Sequence, residues 1–303
     1  MRRSWAVRLN PKMVKGPALL MPLVSAFLYA VAALCLKRGT ERGGGAWRVG
    51  FVCNLLQAAG FAPCWFLGGD LSGDGFWHAV VCGACFFCGQ VLTFLALSRG
   101  DVSLTTPVMG SKVLFVALIA GLSGGERLGG GVWGGAILTT LATVLLGGGH
   151  SGNGRPGVVA ASFGFGFSAA MAFAVTDVLV QWWAPAVGFG HFAPVMFGTV
   201  AALSVFLVPF FNGGLGGLAW GWVGAGASLL TIQAAGVAYA IIAYGSATLT
   251  NVLYNSRGIW SVVLVWAVGH WFSNRENEVG RGVMVRRLAG AFLLLSAIVV
   301  ATR

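Results

Sequence analysis

Apolar stretches of near-constant length recur along the chain, separated by short polar or glycine-rich breaks. An α-helix rises about 1.5 Å per residue, so about 20 apolar residues cross the ~30 Å hydrocarbon core of a bilayer. Backbone facing lipid must satisfy its own hydrogen bonds, which makes each stretch a predicted helix. Ten runs fit, at residues 17–36, 47–68, 76–97, 102–122, 132–148, 157–180, 191–211, 220–244, 249–269 and 283–302. The last begins beside Arg286 and Arg287, whose long stems let their charges snorkel to the interface. The longest polar break near the middle, residues 150–156, separates five runs from five.

The chain therefore divides into a basic tail (1–16), a first five-helix unit (17–149), a linker (150–156) and a second five-helix unit (157–303). The two units share sequence. From Gly100 the chain reads GDVSLTTPVMGSKVLFVAL, and from Gly245 it reads GSATLTNVLYNSRGIWSVV. At one fixed offset Leu104 meets Leu249, Thr105 meets Thr250, Ser111 meets Ser256 and Lys112 meets Arg257. Each stretch leads into a loop with an adjacent acid–base pair, Glu126–Arg127 and Arg275–Glu276. Five is odd, so tandem units of five enter the membrane from opposite sides. The predicted fold class is an all-α membrane protein with ten transmembrane helices in two five-helix inverted repeats, an architecture associated with alternating access.

Composition agrees with lipid as the solvent. Hydrophobic residues make up 57% of the chain and charged ones only 9%, against about 25% charged in a soluble domain. Glycine occurs 48 times, which in a bilayer lets helix backbones approach closely. The net charge of +11 sits mainly in the tail and between runs, where cations set orientation and meet anionic headgroups; a nucleic-acid partner is not expected. The tail leads into a run too long for a signal peptide core, which reads as an uncleaved first span. The tail favours an internal amino terminus, while Lys37, Arg38, Arg42 and Arg48, with Arg275, Arg281, Arg286 and Arg287, pull the other way. Both termini are expected in the cytoplasm, and the chain as a multi-pass protein of the cytoplasmic (inner) membrane, monomeric or homodimeric. Trp47, Trp77, Trp133, Trp220 and Trp271 fall where aromatic belts form.

A charge at mid-span costs about 2.5–3.5 kcal/mol on insertion scales, so it marks function by default. Lys112 lies midway along the fourth run, Arg257 at the matching place in the ninth, and Asp177 late in the sixth. One reading is a polar cavity between the halves. Lys112 and Arg257 would draw an anionic group there, and Asp177 would balance one of them or bind a proton or a substrate amine. The other reading is a buried ion pair that pins helices. Asn251, Tyr254 and Asn255 follow helical spacing beside Arg257, and Thr105, Thr106 and Pro107 form the corresponding patch beside Lys112. Pro107 lacks a backbone donor and can open a helix locally. Asn54, Gln57, Gln90 and Gln233 are expected to bridge helices.

His78, Cys82, Cys85 and Cys88 share one helix face. One face rarely completes a coordination shell, so small-residue packing is expected there, and neither metal nor cofactor. No Walker A loop, HExxH or GxSxG appears. A lipid-acting enzyme would need a catalytic pair at one interface, and none stands out; the chain is not expected to be an enzyme.

The stretches GDVSLTTPVMGSKVLFVAL, GGERLGGGVWGGAIL and ATLTNVLYNSRGIWSVVLVW resemble the drug/metabolite transporter superfamily, and its EamA-like branch in particular. The resemblance implies two five-helix repeats and movement of a small solute without ATP hydrolysis. It also implies a central cavity lined by helices three, four, eight and nine, with Lys112, Asn251, Asn255 and Arg257 in or beside it and Gln90 near. The second half departs from the pattern: its loop reads FSNRENEVGRG, without a Gly-Glu step. The expected function is secondary transport of a small polar or anionic metabolite by alternating access; a non-transporting membrane scaffold and a membrane-embedded lipid enzyme are the alternatives.

Overall fold

The computed structural model describes residues 17–99, 108–124, 128–147, 156–268 and 281–302. All regular structure among these residues is helical. The α-helices are α1 (Pro17–Gly39), α2 (Ala46–Phe61), α3 (Gly73–Arg99), α4 (Lys112–Leu122), α5 (Gly130–Gly147), α6 (Pro156–Val187), α7 (Phe189–Leu203), α8 (Trp220–Tyr244), α9 (Ala247–Tyr254), α10 (Arg257–Val268) and α11 (Arg281–Ala301). Helices α2 and α7 each run on into a 3₁₀ segment, Ala62–Leu67 and Ser204–Phe210.

Six described stretches are long and apolar enough to cross a membrane: Leu19–Gly44, Ala46–Leu67, Gly73–Ala96, Gly157–Val187, Phe189–Phe210 and Trp220–Tyr244. Shorter apolar helices occupy Val108–Leu122, Gly130–Leu146 and Leu288–Ala301. The molecule is thus a multi-pass membrane protein. Two predicted boundaries move. The sixth run, predicted to stop at 180, continues to Val187, because Gln181 is buried and used inside the protein. The ninth, predicted as one helix, breaks at Asn255–Ser256. There the bonds tighten to Ser256 N–Leu253 O at 3.1 Å and Gly258 N–Asn255 O at 3.0 Å. Gly258, a weak helix former, lies just past this point. Loop residues Glu126, Arg127, Arg275 and Glu276 lie outside the described residues.

Small residues bring the helices together. Ala26, Ala79, Ala117, Ala136, Ala174, Ala227 and Ala297 are fully buried. At Gly83 on α3 a Cβ would stand 2.5 Å from Met196 O on α7, and at Gly135 on α5 it would stand 2.6 Å from the Ala301 Cβ on α11. Such seams are what glycine supplies in lipid, where apolar side chains gain little by leaving the solvent.

The pairing of helices is regular. Helix α3 packs on α6 and α7, and α8 packs on α1 and α2; α4 packs on α5 and α6, while α9 and α10 pack on α1 and α11. Pairs α2–α7, α4–α9 and α5–α11 also touch. Exchanging α1–α5 for α6–α11, with the broken α9–α10 standing for α4, carries these contacts onto one another. Helix starts agree too. Gly45 before α2 has φ 64° and ψ 149°, and Gly188 before α7 has φ 85° and ψ 147°, a positive φ that glycine adopts without penalty.

Helices α2 and α7 point opposite ways. Helix α2 runs from the turn at 40–45 to the segment at 68–72. The latter touches the start of α7, through Asp70 N to Val187 O at 2.8 Å. The far end of α7 leads to Gly214, whose carbonyl accepts from Arg48 Nη1 at 2.6 Å, back at the start of α2. Helices α2 and α7 are therefore antiparallel neighbours.

Candidate functional site

Lys112 and Arg257 occupy equivalent backbone positions. Each is the first residue of its helix, after a tightened turn: Ser111 N bonds to Val108 O at 3.1 Å, and Ser256 N bonds to Leu253 O at 3.1 Å. The ladder then resumes in both, with Phe115 N on Ser111 O at 3.1 Å and Trp260 N on Ser256 O at 3.2 Å. The fixed offset found in the sequence is kept atom for atom. The two serines differ, however. Ser111 Oγ donates to Val108 O at 2.6 Å, while Ser256 Oγ is buried with no hydrogen-bond partner in the described structure.

Lys112 Nζ lies 2.7 Å from Asp177 Oδ2, an ion pair joining α4 to α6. Both side chains are mostly covered, at 18% and 14% exposure, so the charges meet little screening. Asn251 Nδ2 on α9 donates to the same Asp177 Oδ2 at 2.6 Å and to Ala247 O at 2.9 Å. Three helices converge on one carboxylate. The Lys112 ammonium also sits over the Phe173 ring, 5.9 Å from its centroid. Nearby, Gln181 Oε1 accepts from Ala247 N at 2.7 Å and caps the start of α9.

Arg257 has a different environment. Its guanidinium lies over Tyr29 at 4.8 Å and over Tyr254 at 4.9 Å; these two rings meet edge to face at 5.9 Å. No carboxylate among the described residues forms an ion pair with it, though Asp177 is near enough to feel its charge. Cation–π contact holds such a group without cancelling its charge. Tyr254 Oη donates to Gln233 Oε1 at 2.8 Å, and Asn255 Nδ2 donates to Thr143 Oγ1 at 3.0 Å.

Five of the sequence-predicted residues therefore gather in two groups, Lys112, Asp177 and Asn251 in one and Arg257 and Tyr254 in the other, while Asn255 is tied to Thr143 on α5. Gln90 is in neither. It exchanges two hydrogen bonds with Asn54, at 2.9 and 3.0 Å, and Asn54 continues to Ser204 Oγ at 2.8 Å. That network ties α2, α3 and the end of α7, the bridging role expected of membrane amides. Replacing Asn54 by Val, which leaves Gln90 unpaired, should cost about 1–2 kcal/mol, and replacing both by apolar residues about half as much; thermal unfolding in detergent measures both.

Reading along the chain did not single out Tyr29, Thr143 or Phe173, because nothing in their local sequence distinguishes them from lipid-facing or bridging residues. Thr105, Thr106 and Pro107 lie outside the described residues. In the third helix His78 stacks on Trp183 at 4.3 Å, Cys82 is fully buried and Cys88 is exposed. No group of three or more His, Cys, Asp or Glu comes together among the described residues.

The model of the EamA-like transporter family matches residues 16–148. That stretch is similar to the EamA-like transporters. It contains α1–α5 and Lys112. One crystal structure of a protein superposes with a TM-score of 0.74 at 21% identity, over 94% of this chain and 98% of that one. At this identity the likeness speaks for the fold, and it spans both halves of the chain. No curated protein matches.

Proposed function

We propose that this EamA-like chain is a secondary transporter, built of ten spans in two inverted five-helix units (17–149 and 157–303), that moves a small polar or anionic metabolite by alternating access. The carrying observation is the equivalence of Lys112 and Arg257: two cations, at matched helix breaks, in halves whose second helices run antiparallel. Broken helices at mid-membrane free polar groups for a solute, and inverted units let a site between them face either side in turn.

The charges favour an anion. Asp177 neutralises Lys112, which leaves Arg257 as the uncompensated cation of the described cluster. Arginine presents a planar fork suited to carboxylate or phosphate. Asn251, Tyr254 and Asn255 bring neutral polar groups to the same helix break, and Asp177, held by Lys112 and Asn251, is the group to take a proton or a substrate amine. Gln90 serves the frame, one step away. The inner membrane is the expected location, and monomer or homodimer the expected state.

A thermal-shift screen of the purified protein against amino acids, nucleosides, sugars and organic anions tests this. A ligand at 100 times its Kd stabilises by about 2.7 kcal/mol. The expected hit is an anion whose stabilisation and uptake into proteoliposomes disappear in Arg257→Ala and Lys112→Ala while both variants stay monodisperse. Full uptake in both variants would reject the assignment.

For Lys112 alone a second reading has an observation of its own. The 2.7 Å contact with Asp177 is also what a structural pin between α4 and α6 requires.

A further inference from the structure

The matched glycines before α2 and α7 fix a register between the halves, and that register pairs Arg48 with His191. Each is the third residue of its helix after a positive-φ glycine cap. Their surroundings correspond as well. Val49 N bonds to Gly45 O at 3.1 Å, and Phe192 N bonds to Gly188 O at 3.0 Å. Both side chains reach from the start of their own helix to the segment that follows the matched helix of the other half.

Arg48 is buried, at 7% exposure. Its Nε donates to Gly44 O at 2.7 Å, its Nη1 to Gly214 O at 2.6 Å and its Nη2 to Gly43 O. It thereby fastens the α1–α2 turn to the α7–α8 segment. His191 lies at the opposite end of α2. Its ring rests on Trp65 at 4.6 Å, in the 3₁₀ segment after α2. A Cβ at Gly69 would stand 3.1 Å from His191 Nδ1, and one at Gly190 would run into Gly68 O and stand 2.9 Å from Cys64 O. Backbone therefore lies on backbone where the α2–α3 segment meets the α6–α7 turn, and Asp70 N to Val187 O completes the junction at 2.8 Å.

We propose that Arg48 and His191 are paired latches, each closing one end of the protein. The inference rests on the alternating-access reading and deepens it. An inverted pair of units needs one closure at each end, related by the exchange of halves, and these two junctions are so related. They are fastened differently. Arg48 crosses its junction with a side-chain bond to Gly214 O, whereas His191 Nδ1 is buried without a hydrogen-bond partner in the described structure, and the bond across its junction is the backbone one from Asp70 N to Val187 O.

Hydrogen–deuterium exchange of the purified full chain, without added solute, tests the assignment. Arg48→Ala should speed exchange about tenfold at 40–48 and 211–218 and spare the other end, and His191→Ala should do the reverse. Arg48→Lys, which keeps the charge but not the fork, and Gly190→Ala, which crowds the backbone junction, should repeat the two patterns if either alanine variant fails to fold. End-specific changes support the latches. Changes at both ends, at the same end in both variants, or at neither overturn them. Because no solute is needed, a chain that moves nothing yet splits this way would refute the transport reading and leave the latches standing, while transport without the split would do the opposite.

Discussion

Asp177→Ala should destabilise the protein by about 3–5 kcal/mol, whereas the double variant Lys112→Met/Asp177→Leu should sit within about 1–2 kcal/mol of the wild type. The single change leaves an ammonium covered on α4 without its carboxylate at 2.7 Å, and it removes one of the two acceptors of the Asn251 amide. The double change removes both charges and lets apolar groups fill the space. Thermal or denaturant unfolding in one detergent compares the two. Activity separates the two roles of this pair. If Lys112 and Asp177 only pin helices, the double variant should transport like the wild type. If they belong to the solute site, it should be stable and inactive, the expected outcome. An equal loss of stability in the single and double variants would mean that the ion pair is not the burden-bearing contact between α4 and α6.

The second large effect is steric. Gly135→Leu should cost about 3 kcal/mol or more, at or beyond the upper end of overpacking penalties. Its Cβ would stand 2.6 Å from Ala301 Cβ and 3.0 Å from Ala297 O, and a carbonyl cannot turn aside as a side-chain tip can. Gly131→Ala, beside Val300 O at 2.6 Å, should cost about 1–3 kcal/mol by the same mechanism. Gly164→Ala and Gly224→Ala meet nothing within 4 Å, so the better helix propensity of alanine should leave them neutral or more stable by up to about 1 kcal/mol. Unfolding temperatures of the four variants decide the matter. Equal losses at all four would mean that backbone freedom, and not close approach, explains the glycines.

Much of this architecture was legible along the chain, because length and hydropathy determine where a helix can cross lipid. The correspondence of Lys112 with Arg257 was legible, since a charge amid apolar residues is costly wherever it falls. The break at Asn255–Ser256 was not legible: Asn251, Asn255 and Gly258 sit within a pattern that also fits one continuous helix. Partners were harder still. Asp177 was visible as an unusual carboxylate, but its pairing with Lys112 depends on how α6 lies against α4. Tyr29 and Thr143 gain meaning only through residues 228 and 112 positions away in the chain. Arg48 reads as one more loop cation until its three carbonyl acceptors are seen.

In the proposed alternating-access reading the halves exchange about an axis, and the α5–α11 seam, which maps onto itself, belongs to that axis. A fulcrum placed there keeps the same surroundings whichever side is open. Crowding it should therefore slow inward and outward turnover alike and leave their ratio untouched, while a change to an off-axis pair such as α1–α8 tips the resting population toward one side of the membrane.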